Sequence, residues 1–374
     1  MSSTRDRPLS TSTPPTPPHD RAAILCGLAG WLPPRVVTNQ ELSRRLDTSD
    51  TWIRPRPTPD PPHCAHPGQA PTDRGVRAAG RALRSAGVAD VDPVLCPTTT
   101  PPRSCPATAP LVADRLGLRG TAAFDVSAVC TGFVYGLASA AGLISAGVAE
   151  RVLLIGADTY STIVDPDDRT NAIIFGDGAG AVVLRAGHAD EPGAVGHFDL
   201  GSDGAGEELI MVAAGGSRQR SASGPVAAQD HYFAMRGKEV FRHAVTRMTA
   251  SARATLTLAD RKVDDIDRIV PHQANLRILR SVAEDLGLPP ERLVTNVESV
   301  GNTGAASIPL ALADAAARHT IHAGERVLLT AFGGGLTWGS CLLAWPALAR
   351  TDHTDHTDHT DHTDPHEAGG TQQP

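Results

Sequence analysis

The sequence predicts an α/β protein built from two related halves, each a β-sheet covered by helices. Short apolar, strand-like runs alternate with Ala-rich helical stretches, the pattern of helices packed on sheets. The segment Glu-Arg-Val-Leu-Leu occurs twice, at 150–154 and at 325–329, each time after an Ala-Gly-containing helix end and before a Gly-containing turn. Both copies read as strands buried on two faces, because no polar residue alternates with the apolar ones. A chain of 374 residues with 41% hydrophobic residues has the material for one large core or two medium ones.

Taken in order, residues 1–21 form a Ser/Thr/Pro-rich arm without the apolar core of a signal peptide, expected to be disordered. The first half is expected over 22–190 and the second over 191–348. Residues 55–71 are too Pro-rich for a helix and predict a surface loop. From Thr72 the pattern predicts a helix (DRGVRAAGRALRSAGV), a second helix (PATAPLVADRLGL), a short strand (TAAFDVSA) and a long buried helix of small residues (CTGFVYGLASAAGLISAG). Residues 349–374 carry a repeated Thr-Asp-His tract. It is expected to be a disordered tail, although His353, His356, His359 and His362 are the kind of residues that bind metals loosely.

Composition excludes several classes. No run approaches the roughly 18 apolar residues of a membrane-spanning helix, and a cytoplasmic location is expected. A formal charge of −7 argues against a nucleic-acid-binding protein, so an acidic partner would have to meet a local basic patch. The six cysteines are scattered without a CxxC pair and are expected to be thiols.

Among them, Cys130 stands apart. It follows an apolar strand and opens the long helix, where unpaired N–H groups and the helix dipole favour a thiolate. Cys26, Cys96 and Cys341 lie inside apolar segments and read as packed thiols. His272, in VPHQANLRI, and Asn302, in GNTGAAS, also sit at the mouths of secondary structure, where side chains converge. Read singly, each is more often a hydrogen-bonded structural residue or a turn residue. In AFGGGLTWGS, three consecutive glycines let the backbone approach a substrate and aim an N–H at it. Neither this run nor GDGAGA (176–181) reads as a phosphate loop, because both lead into strand-like segments rather than helices.

The four motifs DVSAVCTGF, VPHQANLRI, GNTGAAS and AFGGGLTWGS, in this order, resemble the β-ketoacyl-ACP synthase III (ketosynthase III, FabH-type) family of fatty acid synthesis and its polyketide-priming relatives. The resemblance runs from about Ala22 to about Ala347. It implies a thiolase-like five-layered αβαβα fold, a homodimer and a catalytic triad of Cys130, His272 and Asn302. The implied reaction loads an acyl group from acyl-CoA onto Cys130 and condenses it decarboxylatively with malonyl-ACP. The N–H groups of Cys130 and Gly334 would form the oxyanion hole, Phe332 would shape the site, and no metal or redox cofactor would be required.

The same resemblance places Trp52 and Arg169 on the two faces of the CoA adenine and Arg56 near its phosphates. Gly237 and Asn275 fall along the pantetheine channel. Arg242, Arg277 and Arg280 fall where an acidic carrier protein would dock. Cys105 falls at the cap of the acyl pocket, where a residue smaller than Phe implies room for branched or medium-length primers. The chain departs from the family at Arg56-Pro57-Thr58-Pro59, where an Arg-Thr-Gly-Ile stretch is usual, and at Glu284 and Asp285, where lysines are common. Two other readings compete: an acyltransferase that passes the acyl group to an alcohol, amine or carrier without decarboxylation, and a silent acyl-binding subunit. Retention of Cys130, His272 and Asn302 favours condensation.

Overall fold

The computed structural model describes residues 21–38, 41 and 63–349. The expectations for the N-terminal arm, Trp52, Arg56, the first part of the Pro-rich stretch and the Thr-Asp-His tail fall outside these residues.

Strand β1 (Arg21–Trp31) is followed by helix α1 (Pro71–Ala86). The helix begins two residues before the predicted stretch, at Pro71, whose fixed φ and missing N–H suit a first helical position. The Asp73 carboxylate accepts from the Ala70 N–H at 2.7 Å, and Gly87 closes the helix in the left-handed region. Then come β2 (Val94–Pro97), α2 (Thr108–Arg115), β3 (Ala123–Val126), α3 (Gly132–Ser145), β4 (Arg151–Thr159), β5 (Asp177–His188) and β6 (Ala194–Ser202). A small hairpin of β7 (Ile210–Val212) and β8 (Phe233–Met235) precedes α4 (Gly237–Leu258), β9 (Arg268–Pro271), α5 (Leu276–Leu286), α6 (Ser307–Ala317), β10 (Arg326–Gly333) and β11 (Thr337–Ala344).

Among the described residues, nine strands are linked in the order β3-β2-β4-β5-β1-β6-β11-β10-β9. The join between β1 and β6 is only two residue pairs long, so the ribbon divides there into two sheets that enclose α3 and α6. Helices α1 and α2 cover the outer face of the first sheet, and α4 and α5 cover that of the second. This is the five-layered αβαβα arrangement that the resemblance implied. Among the described residues, no helix is long and apolar enough to cross a membrane.

The repeated segment explains itself here. In β4, Val152 and Leu154 pack on the middle helices while Leu153 and Ile155 pack under α1 and α2. In β10, Val327 and Leu329 face the middle and Leu328 faces α4 and α5. Each strand is buried on both faces, which is why neither shows polar alternation. Each also pairs parallel with one neighbour and antiparallel with the other, β2 and β5 for β4, β9 and β11 for β10. Even the strand starts match. The Arg151 N–H donates to the Asp92 carboxylate at 3.0 Å, and the Arg326 N–H donates to that of Asp267 at 2.8 Å. The GDGAGA run forms the start of β5, and the GGG run ends β10 and enters the turn before β11, so neither opens a helix.

Candidate active site

Cys130 lies in a 3-10 turn, Val129–Thr131, and the α-helix proper starts two residues later, at Gly132. The sequence reading placed Cys130 at the helix start; the structure puts it just ahead, on a sharp bend. Val129 takes a φ of +47°, uncommon for any non-glycine and strained for a β-branched residue. Such strain turns the chain abruptly from β3 toward α3. The expected thiolate bias is also corrected. Burial pushes the Cys130 thiol up to about 12, outweighing the hydrogen bond from Tyr160 that lowers it, and nearby Asp158 raises it further.

His272 follows the end of β9, and its neighbour Gln273 holds the loop rigid. The Gln273 side chain donates to the carbonyls of Pro271 and Val294 and accepts from the N–H groups of Asn296 and Val297. Asn275 caps α5 by accepting from the Ile278 N–H at 3.0 Å. The His272 Nδ1 lies 2.6 Å from Ser307 Oγ, which also accepts from the Gln273 N–H at 3.3 Å. The serine hydroxyl keeps its proton to donate, and in the tautomer where Nδ1 accepts it the neutral ring carries its own proton on Nε2. Burial lowers the His272 pKa to about 3, so the ring is neutral at working pH.

Asn302 sits in a loop stitched across the sheets, its N–H donating to Ile174 O and its carbonyl accepting from Gly176 N–H. Its Oδ1 accepts from the Gly304 N–H at 3.0 Å, which fixes the amide orientation and leaves the NH₂ end to donate. Gly304 has φ +58°, and a Cβ there would strike Asp158 Oδ2 at 2.3 Å and Tyr160 Cε2 at 2.4 Å. The buried Asp158 carboxylate accepts from the Ala305 N–H, the Thr99 N–H and the hydroxyls of Thr98 and Thr100. Desolvation nonetheless raises its pKa to about 6.

Cys130, His272, Asn302, Phe332 and Gly333 line one cavity of about 1050 Å³. The glycine run closes on the nucleophile: a Cβ on Gly333 would fall 2.9 Å from the Cys130 nitrogen. Gly333, rather than Gly334, is the run's member on the cavity wall. The interior is apolar, with Ile174, Phe175, Ile210 and Phe233. Lys238, Arg242 and Arg277 face the mouth against Glu239, a local excess of positive charge on an acidic chain. The Arg277 guanidinium also lies 4.5 Å over the Phe241 ring.

Gly237 and Asn275 line the same cavity. Arg169 is exposed beside Thr170, which reaches the cavity wall, whereas Arg280 is exposed and away from that wall. Cys105 is exposed on the loop before α2 and is not on the cavity wall of its own chain. Sequence reasoning missed Asp158, Tyr160 and Ser307. Ser307 closes the quoted GNTGAAS motif, and its position at the start of α6 was the available signal.

Comparison with known proteins agrees with this geometry. Residues 124–204 match the family model of 3-oxoacyl-[acyl-carrier-protein (ACP)] synthase III, and residues 256–345 match that of its C-terminal part. The chain is 55% identical over 330 residues to β-ketoacyl-[acyl-carrier-protein] synthase III 3 of Streptomyces coelicolor, covering 88% of this chain and 98% of the relative. It is also similar to the crystal structure of 3-oxoacyl-(acyl carrier protein) synthase III, FabH, from Pseudomonas aeruginosa. There the TM-score is 0.82 and the identity 50%, over 88% of this chain and 100% of that one. A priming β-ketosynthase from a polyketide biosynthetic pathway superposes with a TM-score of 0.80 at 32% identity, over 89% and 99% of the two chains.

Proposed function

Because the chain belongs to the 3-oxoacyl-[acyl-carrier-protein] synthase III family, we propose that it loads a primer acyl group from acyl-CoA onto Cys130 and condenses it with malonyl-ACP to 3-oxoacyl-ACP. One observation carries the reading. His272 and Asn302 share a cavity with the thiol; Asn302 Oδ1 is engaged by the Gly304 N–H, and His272 with Nδ1 accepting from Ser307 likewise turns a neutral N–H donor to a substrate carbonyl.

In the first step the Cys130 sulfur bonds to the acyl carbon and the bond to the CoA sulfur breaks. The thiol proton is balanced by the proton taken up by the departing CoA thiolate. In this reading the tetrahedral oxyanion is held by the N–H groups of Cys130 and Gly334, the latter on the peptide that follows Gly333, the glycine that packs against the Cys130 backbone. In the second step the malonyl C–C bond to the carboxylate breaks and CO₂ leaves. The electron pair passes into the thioester as an enolate, to which His272 Nε2–H and Asn302 Nδ2–H donate. The enolate carbon attacks the acyl carbon, the bond to the Cys130 sulfur breaks, and that sulfur takes one proton. These steps draw only on the side chains and backbone described.

The three mouth cations suit a phosphopantetheine arm and an acidic carrier. In this reading Gly237 and Asn275 line the arm, Arg242, Arg277 and Arg280 meet the carrier, and Arg169, Trp52 and Arg56 hold the CoA nucleotide. The enzyme works in the cytoplasm as a homodimer in which the partner copy's loop before α2 brings its Cys105 residue to the acyl end of the pocket. A fatty acid or a polyketide starter unit is the product. Intact-protein mass spectrometry after incubation with a panel of acyl-CoAs, and then with malonyl-ACP, tests the proposal. The expected result is an acyl adduct on Cys130 that malonyl-ACP discharges with release of CO₂. An adduct that malonyl-ACP leaves in place would overturn condensation in favour of simple acyl transfer.

A further inference from the structure

The aromatic side chain beside the nucleophile has no part in the Cys-His-Asn reading. Tyr160 is fully buried, and its hydroxyl lies 3.8 Å from the Cys130 sulfur, within sulfur hydrogen-bond range. The ring is fixed by packing. It stacks on Phe175 at 4.6 Å and meets Phe233 edge-on at 5.7 Å, while those two rings meet each other at 5.0 Å. Phe233 is in turn anchored by its N–H to Ile163 O at 2.7 Å, just past the turn that carries Tyr160. On the other side, the Tyr160 ring abuts Gly304, where no Cβ fits. The phenol therefore has little freedom to swing away from the sulfur.

We propose that Tyr160 is a further active-site residue, whose hydroxyl donates to the Cys130 sulfur and favours its thiolate during both loading and release. This rests on Cys130 being the acyl carrier. The groups that face the sulfur leave few alternatives for the task. Asp158, at the end of β4, is an acceptor that opposes thiolate formation. His272 is neutral, and its Nε2–H serves the carbonyl of the second substrate. The strand β10 presents Phe332 and Gly333, neither of which has a side-chain donor. The cations Lys238, Arg242 and Arg277 and the carboxylate Glu239 come from α4 and α5 at the mouth. Tyr160 itself is held protonated, burial pushing its pKa well above the usual value, so its hydroxyl keeps the proton it donates. The same hydrogen bond receives the charge that returns to sulfur when carbon–carbon bond formation expels the cysteine.

The test is the pH dependence of Cys130 alkylation by iodoacetamide, followed by peptide mass spectrometry on the full chain. Wild type, Tyr160→Phe and a chain carrying 3,5-difluorotyrosine at position 160 are compared. The Phe variant keeps the ring and its packing, and an unchanged melting temperature verifies that it folds. Removing the donor is expected to slow Cys130 alkylation near neutral pH by about three- to ten-fold, since the lost thiolate fraction is partly offset by higher nucleophilicity. The fluorinated phenol, a stronger donor, is expected to move the profile the opposite way. Profiles of all three chains that superimpose would overturn the proposal. Acyl-CoA loading of wild type is measured in parallel. Failure to load with a shifted alkylation profile defeats the acyl-carrier reading alone, and normal loading with superimposed profiles defeats the role of Tyr160 alone.

Discussion

The two halves share one plan and divide the chemistry between them. In register, Val94–Pro97 of the first half corresponds to Ile269–His272 of the second, so Pro97 packs where His272 acts. Beyond the repeated strand start, Asp158 stands where Gly333 stands, and Tyr160 where Gly335 stands. The first half ends its central strand in side chains that reach the other half: Asp158 grips Ala305 and Tyr160 abuts Gly304. The second half ends its strand in glycines, which lets its backbone close on Cys130. Each half thus supports the loop from which the other half acts. A duplicated fold reaches asymmetric catalysis by making the same strand end bulky in one copy and bare in the other.

The largest effects are expected where the second half supplies donors to the first half's acyl group. His272→Ala and Asn302→Asp should each slow discharge of a preformed acyl-enzyme by malonyl-ACP by about 10²–10³-fold, the usual cost of one donor to a developing oxyanion. Loading from acyl-CoA should be nearly unchanged. Rapid-quench measurement of the two half-reactions checks this, and equal losses in both would erase the division of labour. Because His272 is already neutral above a pKa of about 3, the wild-type discharge rate should show no limb from this residue between about pH 5 and pH 8.

Next comes the seam. Gly304→Ala would place a methyl group against Asp158 and Tyr160 at a φ of +58°, so neither strain nor contact is relieved by a simple side-chain rotation. A loss of about 1–3 kcal/mol in denaturant unfolding is expected. Acyl loading and discharge should both fall, because the Gly304 N–H orients Asn302 and the same turn touches Tyr160. A variant with full stability and full activity would show that the halves do not depend on this contact.

That seam also marks how far the sequence can be read. Cys130 and His272 are legible because each follows a strand-like run just ahead of a helix, Asn302 because it sits in a Gly-rich turn ahead of one, and their motifs are contiguous. The doubled Glu-Arg-Val-Leu-Leu segment likewise announces the paired sheets. Asp158 is not legible in this way, because its partner Ala305 is 147 residues away and nothing local to Gly-Ala-Asp-Thr-Tyr indicates it. Tyr160 reads as one more apolar residue after a strand until the fold brings it to the sulfur. The thiolate bias inferred for Cys130 failed for a related reason. A helix start is visible in the sequence, whereas the depth at which the thiol is buried depends on both halves.

A smaller effect probes the second half alone. Ser307→Ala removes the hydroxyl that bridges His272 Nδ1 and the Gln273 N–H, both of them groups of the second half. The ring then loses its Nδ1 partner, and discharge by malonyl-ACP should drop by about ten-fold, the scale of one hydrogen bond to a catalytic group. Loading of Cys130 should be unaffected, which separates this variant from Gly304→Ala.

The smallest effect is expected at the mouth, which is built largely by the second half. Arg277→Glu reverses one of three cations there and also removes a guanidinium that covers Phe241. Surface charges of this kind act mainly on encounter, so the KM for malonyl-ACP should rise by about three- to ten-fold at low salt, with the difference shrinking at high salt. The corresponding kcat should hold, because no donor in the site moves. Discharge by a small malonyl thioester that lacks both carrier and phosphate should be unchanged. If that small substrate were slowed as much as malonyl-ACP, Arg277 would belong to the interior rather than the mouth. The second half would then contribute no separate carrier-facing surface, and the contrast between the halves would lie in the chemistry alone.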